Sequence, residues 1–420
     1  MNIKLRLIVM NFLQFFIWGS WLISIGNYLG GTLHFKGSEI GAVFSTLGIA
    51  SLFMPAIMGI IADKWLNAER VLGICHLLGA VMLIWAASVT DPNLFFWVIL
   101  LNSMFYMPTI ALNNTVSYHT LEQKGLDIVK DFPPIRVWGT IGFIAAMWII
   151  DILGWDASNR QLLFSAGSGI ALGLYSFTMP KCPPVKSNTQ KTFLSSLGLD
   201  AFVLFKQRKM FIFFLFAMFL GAALQITNAF GSSFLESFKP VYPESFVVKH
   251  KLFTLSISQI SESLFILAIP FFLKRFGIKQ VMLMSMLAWV LRFGLFGIGN
   301  PGTGLTFLIA SMIIYGMAFD FFNISGSLFV EKEAPSNIRA SAQGLFMFMT
   351  NGIGAMCGGY GAGKVVDYFT QTDPVTKNIL SRDWQSIWFV FAGYALVLAL
   401  IFPFVFKYKH NPGEIKSLAH

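Results

Sequence analysis

Long apolar runs separated by short polar loops are the dominant pattern of this chain. A membrane-spanning helix needs about 20 mostly apolar residues, and twelve runs of that kind follow one another along the sequence. The predicted spans start near Leu5, Glu39, Arg70, Leu94, Pro133 and Arg160, and then near Lys209, Lys249, Ile278, Thr303, Asn337 and Asp383. The pattern predicts an all-α integral membrane protein with 12 transmembrane helices.

The spans fall into two sets of six. Residues 1–180 form a predicted N-terminal bundle and residues 209–420 a predicted C-terminal bundle, joined by a polar cytoplasmic linker at 181–208. A weak repeat supports this division, because Pro55 and Pro270 each precede a basic, turn-prone loop at the same place in each half. The organisation is similar to the major facilitator fold, with its pseudo-symmetric 6+6 bundles, in which substrates bind near the midplane between the halves.

Composition agrees with a membrane protein and weighs against an enzyme. Hydrophobic residues make up 55% of the chain and charged residues 12%, about half the charged fraction of soluble domains. The first apolar run is too long for a signal peptide and lacks a small-residue cleavage site, so it is predicted to be the first span. The three cysteines show neither metal-ligand spacing nor a disulfide pattern. The sequence shows no metal cluster, nucleophile–base pair or phosphate loop that would indicate an enzyme.

The basic residues indicate topology rather than nucleic-acid binding. The net charge is +10, but lysine and arginine fall mainly in short loops between the apolar runs. With both termini placed inside, twenty of them lie on the cytoplasmic side and eight outside. This bias predicts that both termini are cytoplasmic.

Two isolated acids occupy apolar spans. Glu262 is the single ionisable residue between Leu252 and Leu273, and Asp320 has no charged neighbour in its own span. An ionisable group at membrane depth costs roughly 3 kcal/mol or more, so it usually serves a function. The two carboxylates predict a path for protons, ions or a polar solute.

Polar and aromatic residues repeat at helical spacing near these acids. Gln225 and Asn228 share one face of span seven, and Gln259 and Glu262 share one face of span eight. They indicate either a polar cavity or hydrogen bonds between helices. Further candidates of the same kind lie in spans five and ten: Arg136, Thr140 and Phe143, and Tyr315, Phe319 and Asp320.

Several of these residues also have a structural interpretation. Arg136 lies one turn inside its span, where an arginine can snorkel to the interface. Arg292 has no evident partner, so snorkelling or a structural ion pair is favoured over function. Polar residues of spans one and four are interpreted as interhelical hydrogen-bonding groups: Asn11, Gln14, Asn102, Tyr106, Asn113 and Asn114.

Two glycine-containing segments suggest roles in packing and conformational change. Gly59, Asp63 and Arg70, in the loop after span two, predict a conformational latch in which Gly59 permits close helix approach; an ordinary charged turn is the alternative. In span eleven, the pairs Gly354/Gly358 and Gly359/Gly363 predict close helix packing.

Six stretches together resemble one family, the bacterial nucleoside permeases of the nucleoside:H+ symporter family within the major facilitator superfamily. The stretches are NFLQFFIWGSWL, FMPAIMGIIADKWL, DFPPIRVWGTIGF, LQITNAFGSSFL, SISQISESLFILAIPFFL, and YGMAFDFFNISGSLFVEKE with IRASAQG. The resemblance implies nucleoside uptake driven by inward proton flow. It assigns the substrate pocket to Arg136, Thr140, Phe143, Gln225, Asn228, Gln259, Glu262, Tyr315, Phe319 and Asp320.

The residues themselves fit this implication. Amides and a guanidinium can pair with ribose hydroxyls and base edges, and aromatic rings can stack on a base. A neutral solute that moves with a proton needs a titratable carboxylate, and Glu262 and Asp320 are the candidates for proton coupling. A sugar:proton symporter of the same superfamily is the alternative.

The expected partners and location follow from the same interpretation. We expect nucleosides such as uridine and adenosine, protons and the lipid bilayer as partners, and no nucleic acid, metal or cofactor. We also expect a monomer in the bacterial cytoplasmic (inner) membrane.

Overall fold

The computed structural model describes residues 2–184, 199–373 and 379–408. Most of the predicted linker, at 185–198, therefore lies outside the described residues, as does the tail from 409. The first half contains helices α1 Ile3–Gly19, α2 Ile25–Asn27, α3 Gly37–Lys64, α4 Ala68–Ala86, α5 Pro92–Gln123, α6 Ile128–Ile152 and α7 Arg160–Ser176. The second half contains α8 Arg208–Glu236, α9 Phe246–Lys249, α10 Lys251–Ile298, α11 Leu305–Glu333, α12 Arg339–Met347, α13 Ala355–Tyr368 and α14 Trp384–Val405.

Shorter elements connect these helices. π-helical turns cover Tyr28–Thr32 and Phe348–Gly354, and 3₁₀ turns cover Leu199–Lys206 and Ser336–Ile338. Strands β1 Thr370–Thr372 and β2 Ile379–Arg382 pair antiparallel, with Thr370 opposite Arg382. This small hairpin between α13 and α14 is the one departure from an all-helical chain among the described residues.

Helix boundaries follow capping residues and glycine. Asp91 accepts a hydrogen bond from Leu94 N at the start of α5, and Asp383 accepts one from Ser386 N at the start of α14, as side-chain oxygens commonly do at helix N-termini. Gly277 has a φ of 77° inside α10, a conformation that glycine adopts without steric strain. The break divides α10 into residues 251–276 and 278–298, in agreement with the predicted start near Ile278.

The start of α6 differs from the prediction. We expected Pro133 and Pro134 to begin a helix, but α6 begins at Ile128 and both prolines lie within it. Both side chains are exposed, so water can reach the carbonyl groups of the first turn that the missing N–H groups leave unpaired. Asp131, in the added turn, pairs with Lys4 of α1 at 2.7 Å.

Eight helices of the described chain are long and apolar enough, by length and composition, to cross a membrane. They are Gly37–Lys64, Ala68–Ala86, Pro92–Gln123, Lys130–Ile152, Arg208–Glu236, Lys251–Ile298, Leu305–Glu333 and Trp384–Val405. The helical membrane architecture is confirmed, whereas the count of twelve crossings stays a prediction.

The polar residues of spans one and four pair with one another inside the first half. Gln14 donates to Thr109 at 2.7 Å and lies 2.8 Å from His76 Nε2, and Asn113 donates to Asn11 at 2.8 Å. Two further bonds of this type join Asn102 to Gly79 O and Tyr106 to Gln14 O. These bonds support the interhelical interpretation for five of the six residues: Asn11, Gln14, Asn102, Tyr106 and Asn113.

Candidate functional site

The two halves touch through charged and polar groups at one end of the bundle. We call it the Asp151 end, where α6 ends and α10 begins; the opposite end, between α3 and α4, is the Arg70 end. Asp151 accepts hydrogen bonds from Leu252 N at 2.9 Å and pairs with His250 at 2.8 Å. Lys251 bridges Asp156 of the first half at 2.9 Å and Glu236 of the second half at 2.6 Å.

Close backbone packing reinforces the same end. A Cβ atom at Gly41 would lie 2.2 Å from Gly359 O, and one at Gly363 would lie 2.3 Å from Gly37 O. Only residues without a side chain permit this approach of α3 to α13. The other predicted pair packs on α8, because Cβ atoms at Gly354 and Gly358 would lie 2.4 Å from Met218 O and from Ala222 Cα. The packing role predicted for span eleven is therefore confirmed, with one pair facing each half.

The Arg70 end lacks such contacts in the described chain. Asp63 and Arg70 are exposed, and no heavy atom lies within 4 Å of the position that a Cβ would take at Gly59. The close approach expected at Gly59 is thus not made in this conformation, because the halves meet at the other end. The latch stays a prediction for a conformation in which the Arg70 end is closed.

Between the two ends, α6 presents the predicted cation. Arg136 is half-buried, and its guanidinium lies 4.0 Å from the centroid of the Phe15 ring. Its charge interacts with Glu262 of the other half and with Tyr106. Arg136 therefore faces the interior of the bundle, and the snorkelling interpretation is wrong for this structure. Thr140 is half-buried one turn further along α6, and Phe143 packs edge-on against Trp18 at 6.4 Å.

In the second half, α8 and α10 carry the remaining predicted polar residues. Gln225 and Asn228 lie on α8, and Gln259 and Glu262 on the first part of α10. Gln225 is buried, and its Oε1 has no hydrogen-bond partner in the described chain. Glu262 interacts electrostatically with Arg136 and with Asp320. Gln225 Oε1 therefore takes no part in interhelical pairing of the kind that the first half shows.

Helix α11 adds two aromatic rings and a carboxylate to the candidate site. The Tyr315 and Phe319 rings are nearly parallel, 9° apart, with centroids separated by 6.2 Å. Asp320 is 3% exposed, and its Oδ2 has no hydrogen-bond partner among the described residues. A small open pocket adjoins Phe319. Its lining comprises Leu220, Gly221, Leu224, Trp289, Ala318, Phe319, Phe322, Asn323, Thr350 and Asn351.

Two aromatic residues of α1 in this part of the bundle, Phe15 and Trp18, were not predicted from the sequence. Phe15 lies under Arg136, and Trp18 contacts both Phe143 and Tyr106. Trp18 Nε1 is buried without an acceptor within the described part of the chain. Phe15 and Trp18 are three residues apart and share a helix face, but rings at that spacing are common wherever a helix packs in a core. Apolar periodicity alone could not single them out.

The geometry matches known proteins over the whole chain. A model of the family described as "Nucleoside H+ symporter" matches residues 1–411. The chain is 58% identical to the xanthosine permease of Escherichia coli strain K12 over 422 residues, covering 100% of this chain and 99% of that protein. It is 55% identical to the E. coli K12 nucleoside permease NupG over 425 residues, covering 100% of both. A crystal structure of the nucleoside transporter NupG superposes with a TM-score of 0.91 at 55% identity, covering 97% of this chain and 100% of that chain.

These relatives are permeases and transporters rather than enzymes, and they favour nucleosides over the sugar alternative. The helical bundle that the apolar pattern predicts is the major facilitator fold seen in the matched structure. The chain therefore belongs to the nucleoside H+ symporter family and couples nucleoside uptake to protons.

Proposed function

We propose that this transporter carries nucleosides such as uridine and adenosine into the cell with protons, as a monomer in the bacterial inner membrane. The proton gradient is the energy source, and no cofactor takes part. The xanthosine permease is similar over the whole chain, so xanthosine belongs among the substrates to be tested. Light scattering of the purified protein in detergent tests the monomer; a dimer mass would contradict it.

One observation carries the coupling proposal: Glu262 interacts electrostatically with a cation of the first half and with a second acid of its own half. Its carboxylate interacts with Arg136 and with Asp320. A nucleoside is neutral, so a proton that moves with it needs a carboxylate that can bind and release that proton. Two interacting acids cannot easily both ionise at this depth. Glu262 and Asp320 are therefore our candidates for the proton-binding pair.

The unpaired polar atoms support recognition of both parts of a nucleoside. Gln225 Oε1 and Asp320 Oδ2 are buried without partners in the described chain, and buried polar groups normally have them. Ribose hydroxyls and base N–H groups could supply the missing donors. The parallel Tyr315 and Phe319 rings offer a face for the base, and Arg136, Thr140 and Phe143 oppose them from the first half.

The one-sided closure supports alternating access. We propose that the Asp151 end faces the periplasm and the Arg70 end the cytoplasm, so that this conformation opens inward. The bias of lysine and arginine towards the loops of the Arg70 end supports this orientation. Fusions at His420 should be active with a cytoplasmic reporter and inactive with a periplasmic one; the reverse result would contradict the orientation.

Competition for uptake tests the proposed pocket. Labelled uridine should be displaced by uridine, adenosine or xanthosine, and poorly by uracil or ribose. A ligand that lacks one part leaves buried groups unpaired, at roughly 1–3 kcal/mol each, which is about 5- to 150-fold weaker competition per group. Uridine monophosphate should also fail, because its charge would have to be desolvated beside Glu262 and Asp320.

A protonophore tests coupling to the proton gradient separately from recognition of the substrate. It should abolish accumulation while leaving binding to purified protein intact. If uracil or ribose competes as well as uridine, recognition of both moieties is wrong. If accumulation survives the protonophore, coupling to the proton gradient is wrong.

A further inference from the structure

Arg292 is a buried cation without an acidic partner. It lies in the second part of α10, is 3% exposed, and has no carboxylate within ion-pair distance among the described residues. A guanidinium at membrane depth is unfavourable unless other groups replace its water. Burial excludes the snorkelling interpretation, and the lack of a carboxylate excludes the structural ion pair.

Neutral groups on neighbouring helices surround this guanidinium. Nη1 donates to Ser311 O at 3.0 Å and contacts Ser258 Oγ at 3.4 Å. The Ser311 hydroxyl donates back to Arg292 O at 2.8 Å. The guanidinium carbon lies 4.4 Å from the Tyr315 ring centroid and 5.2 Å from that of Phe296, within the range of cation–π attraction.

These contacts lie one helical turn from candidate substrate groups. Ser258 precedes Glu262 by four residues on α10, and Ser311 precedes Tyr315 by four residues on α11. Residues four apart lie on one helix face. Arg292 thus joins the two helices that carry Glu262 and Tyr315, at the turn immediately before each of them.

The Tyr315 ring is the point at which these contacts converge. Arg292 lies over the ring, Trp289 packs against it at 90° with centroids 6.1 Å apart, and Phe319 stacks parallel to it. Trp289 also lines the cavity beside Phe319. The orientation of the Tyr315 and Phe319 rings therefore depends on Arg292, which lies outside the predicted pocket.

We propose that Arg292 is a positioning residue, which holds the Tyr315–Phe319 stacking surface in the orientation that receives the nucleobase. This inference rests on the proposed role of Tyr315 in substrate binding. Arg292 acts through the Tyr315 ring by cation–π contact and through the α10–α11 junction by its hydrogen bonds. It does not touch the substrate.

Binding of labelled uridine and adenosine to purified protein tests this proposal. Removal of one cation–π contact predicts roughly 2- to 30-fold weaker binding in Arg292→Gln. Arg292→Lys should recover part of the loss, since it keeps the charge over the ring while losing the planar donor group. Adenosine should lose more than uridine, because its larger base covers more of the stacking surface.

A double-mutant cycle separates positioning from a general effect on stability. If Arg292 acts through Tyr315, the Arg292→Gln and Tyr315→Leu changes should be non-additive: once the ring is gone, loss of the cation should add little. Phe296→Leu is the matched control, because Phe296 is the other ring near Arg292 and lies outside the candidate pocket. By itself it should leave substrate affinity unchanged.

The outcomes separate this proposal from the one on which it rests. Unchanged affinity in both Arg292 variants, with weakened binding in Tyr315→Leu, would overturn the positioning role alone. Unchanged affinity in Tyr315→Leu would overturn the assignment of Tyr315 to the substrate. Additive losses in the cycle would also overturn positioning through the ring. If Arg292→Gln fails to fold, the Arg292→Lys variant and its own cycle with Tyr315→Leu decide the question.

Discussion

Both ends of this molecule carry charged residues that form ion pairs, but only at the Asp151 end do these pairs join the two halves of the described chain. At the Asp151 end, Lys251 links Asp156 and Glu236, and its side chain is 8% exposed. At the Arg70 end, Lys4 pairs with Asp131 and Lys209 with Glu333, each pair within a single half. The first set of contacts joins the halves, and the second set only orders the helix ends.

This difference identifies which contacts control the conformation. Pairs with an exposed lysine, such as Lys209–Glu333, contribute about 0–1 kcal/mol and need not break when the halves move. Opening the Asp151 end must separate Lys251 from Asp156, Asp151 from the start of α10, and the close-packed glycine backbones of α3 and α13. The energetics of switching should therefore be governed by the Asp151 end.

The largest expected effect comes from the acids between the two ends. Glu262→Gln and Asp320→Asn should each reduce nucleoside accumulation to simple equilibration, because an amide preserves shape but cannot carry the proton. At least one variant should still bind substrate. Asp91→Asn, at an exposed helix cap where asparagine serves as well as aspartate, is the matched control. Wild-type accumulation ratios in both variants would refute proton carriage by these acids.

A second prediction tests whether Lys251 holds the closed end. Lys251→Met leaves Asp156 and Glu236 without their shared cation, and breaking a buried pair costs about 3 kcal/mol. We expect the Asp151 end to open more often, so that a cysteine replacing the buried Ser256 reacts faster with a membrane-impermeant maleimide. Ser256 is suitable because Trp148 Nε1 of the other half donates to its hydroxyl at 2.9 Å.

Lys239→Met is the control for this experiment. Lys239 pairs with the same Glu236 at 3.1 Å, but it is exposed and belongs to the same half. Its loss should leave labelling at position 256 unchanged. Equal acceleration in the two variants would show that Lys251 has no special role in closure.

The smallest predicted effect comes from backbone packing. Gly363→Ala places a methyl group where Gly37 O lies 2.3 Å away, and overpacking of this kind typically costs about 1–3 kcal/mol. Gly361→Ala, two residues away, meets nothing within 4 Å and should be tolerated, because alanine favours a helix over glycine by about 1 kcal/mol. Gly363→Ala should lower the unfolding temperature and change the position-256 labelling rate, whereas Gly361→Ala should do neither; equal behaviour of the two variants would show that the α3–α13 contact does not contribute to closure.

The helix boundaries could be predicted from the sequence because they depend mainly on residues close together in the chain. Apolar length and loop polarity predicted starts that agree with α3, α7, α8 and α11 to within two residues. The predicted start of α6 was wrong. The prediction assumed that a proline, which lacks an N–H, lies at the beginning of a helix. Solvent at an exposed helix end can satisfy the carbonyl groups that the prolines leave unpaired, so the helix begins before them. The small-residue pairs of span eleven also follow from spacing, since a glycine every fourth position fixes which face can approach a neighbour.

The sequence by itself determined the membrane architecture, the isolated acids and the family, because a long apolar run, a lone charge and extended motifs can each be recognised without knowledge of what lies opposite. Only the tertiary structure decided the partners of the charged residues. It brought Arg136 into electrostatic interaction with Glu262, Lys251 between Asp156 and Glu236, and Arg292 over Tyr315. These partners are separated by 15 to 126 positions in the sequence, and their meeting depends on how whole helices pack, which no local pattern encodes.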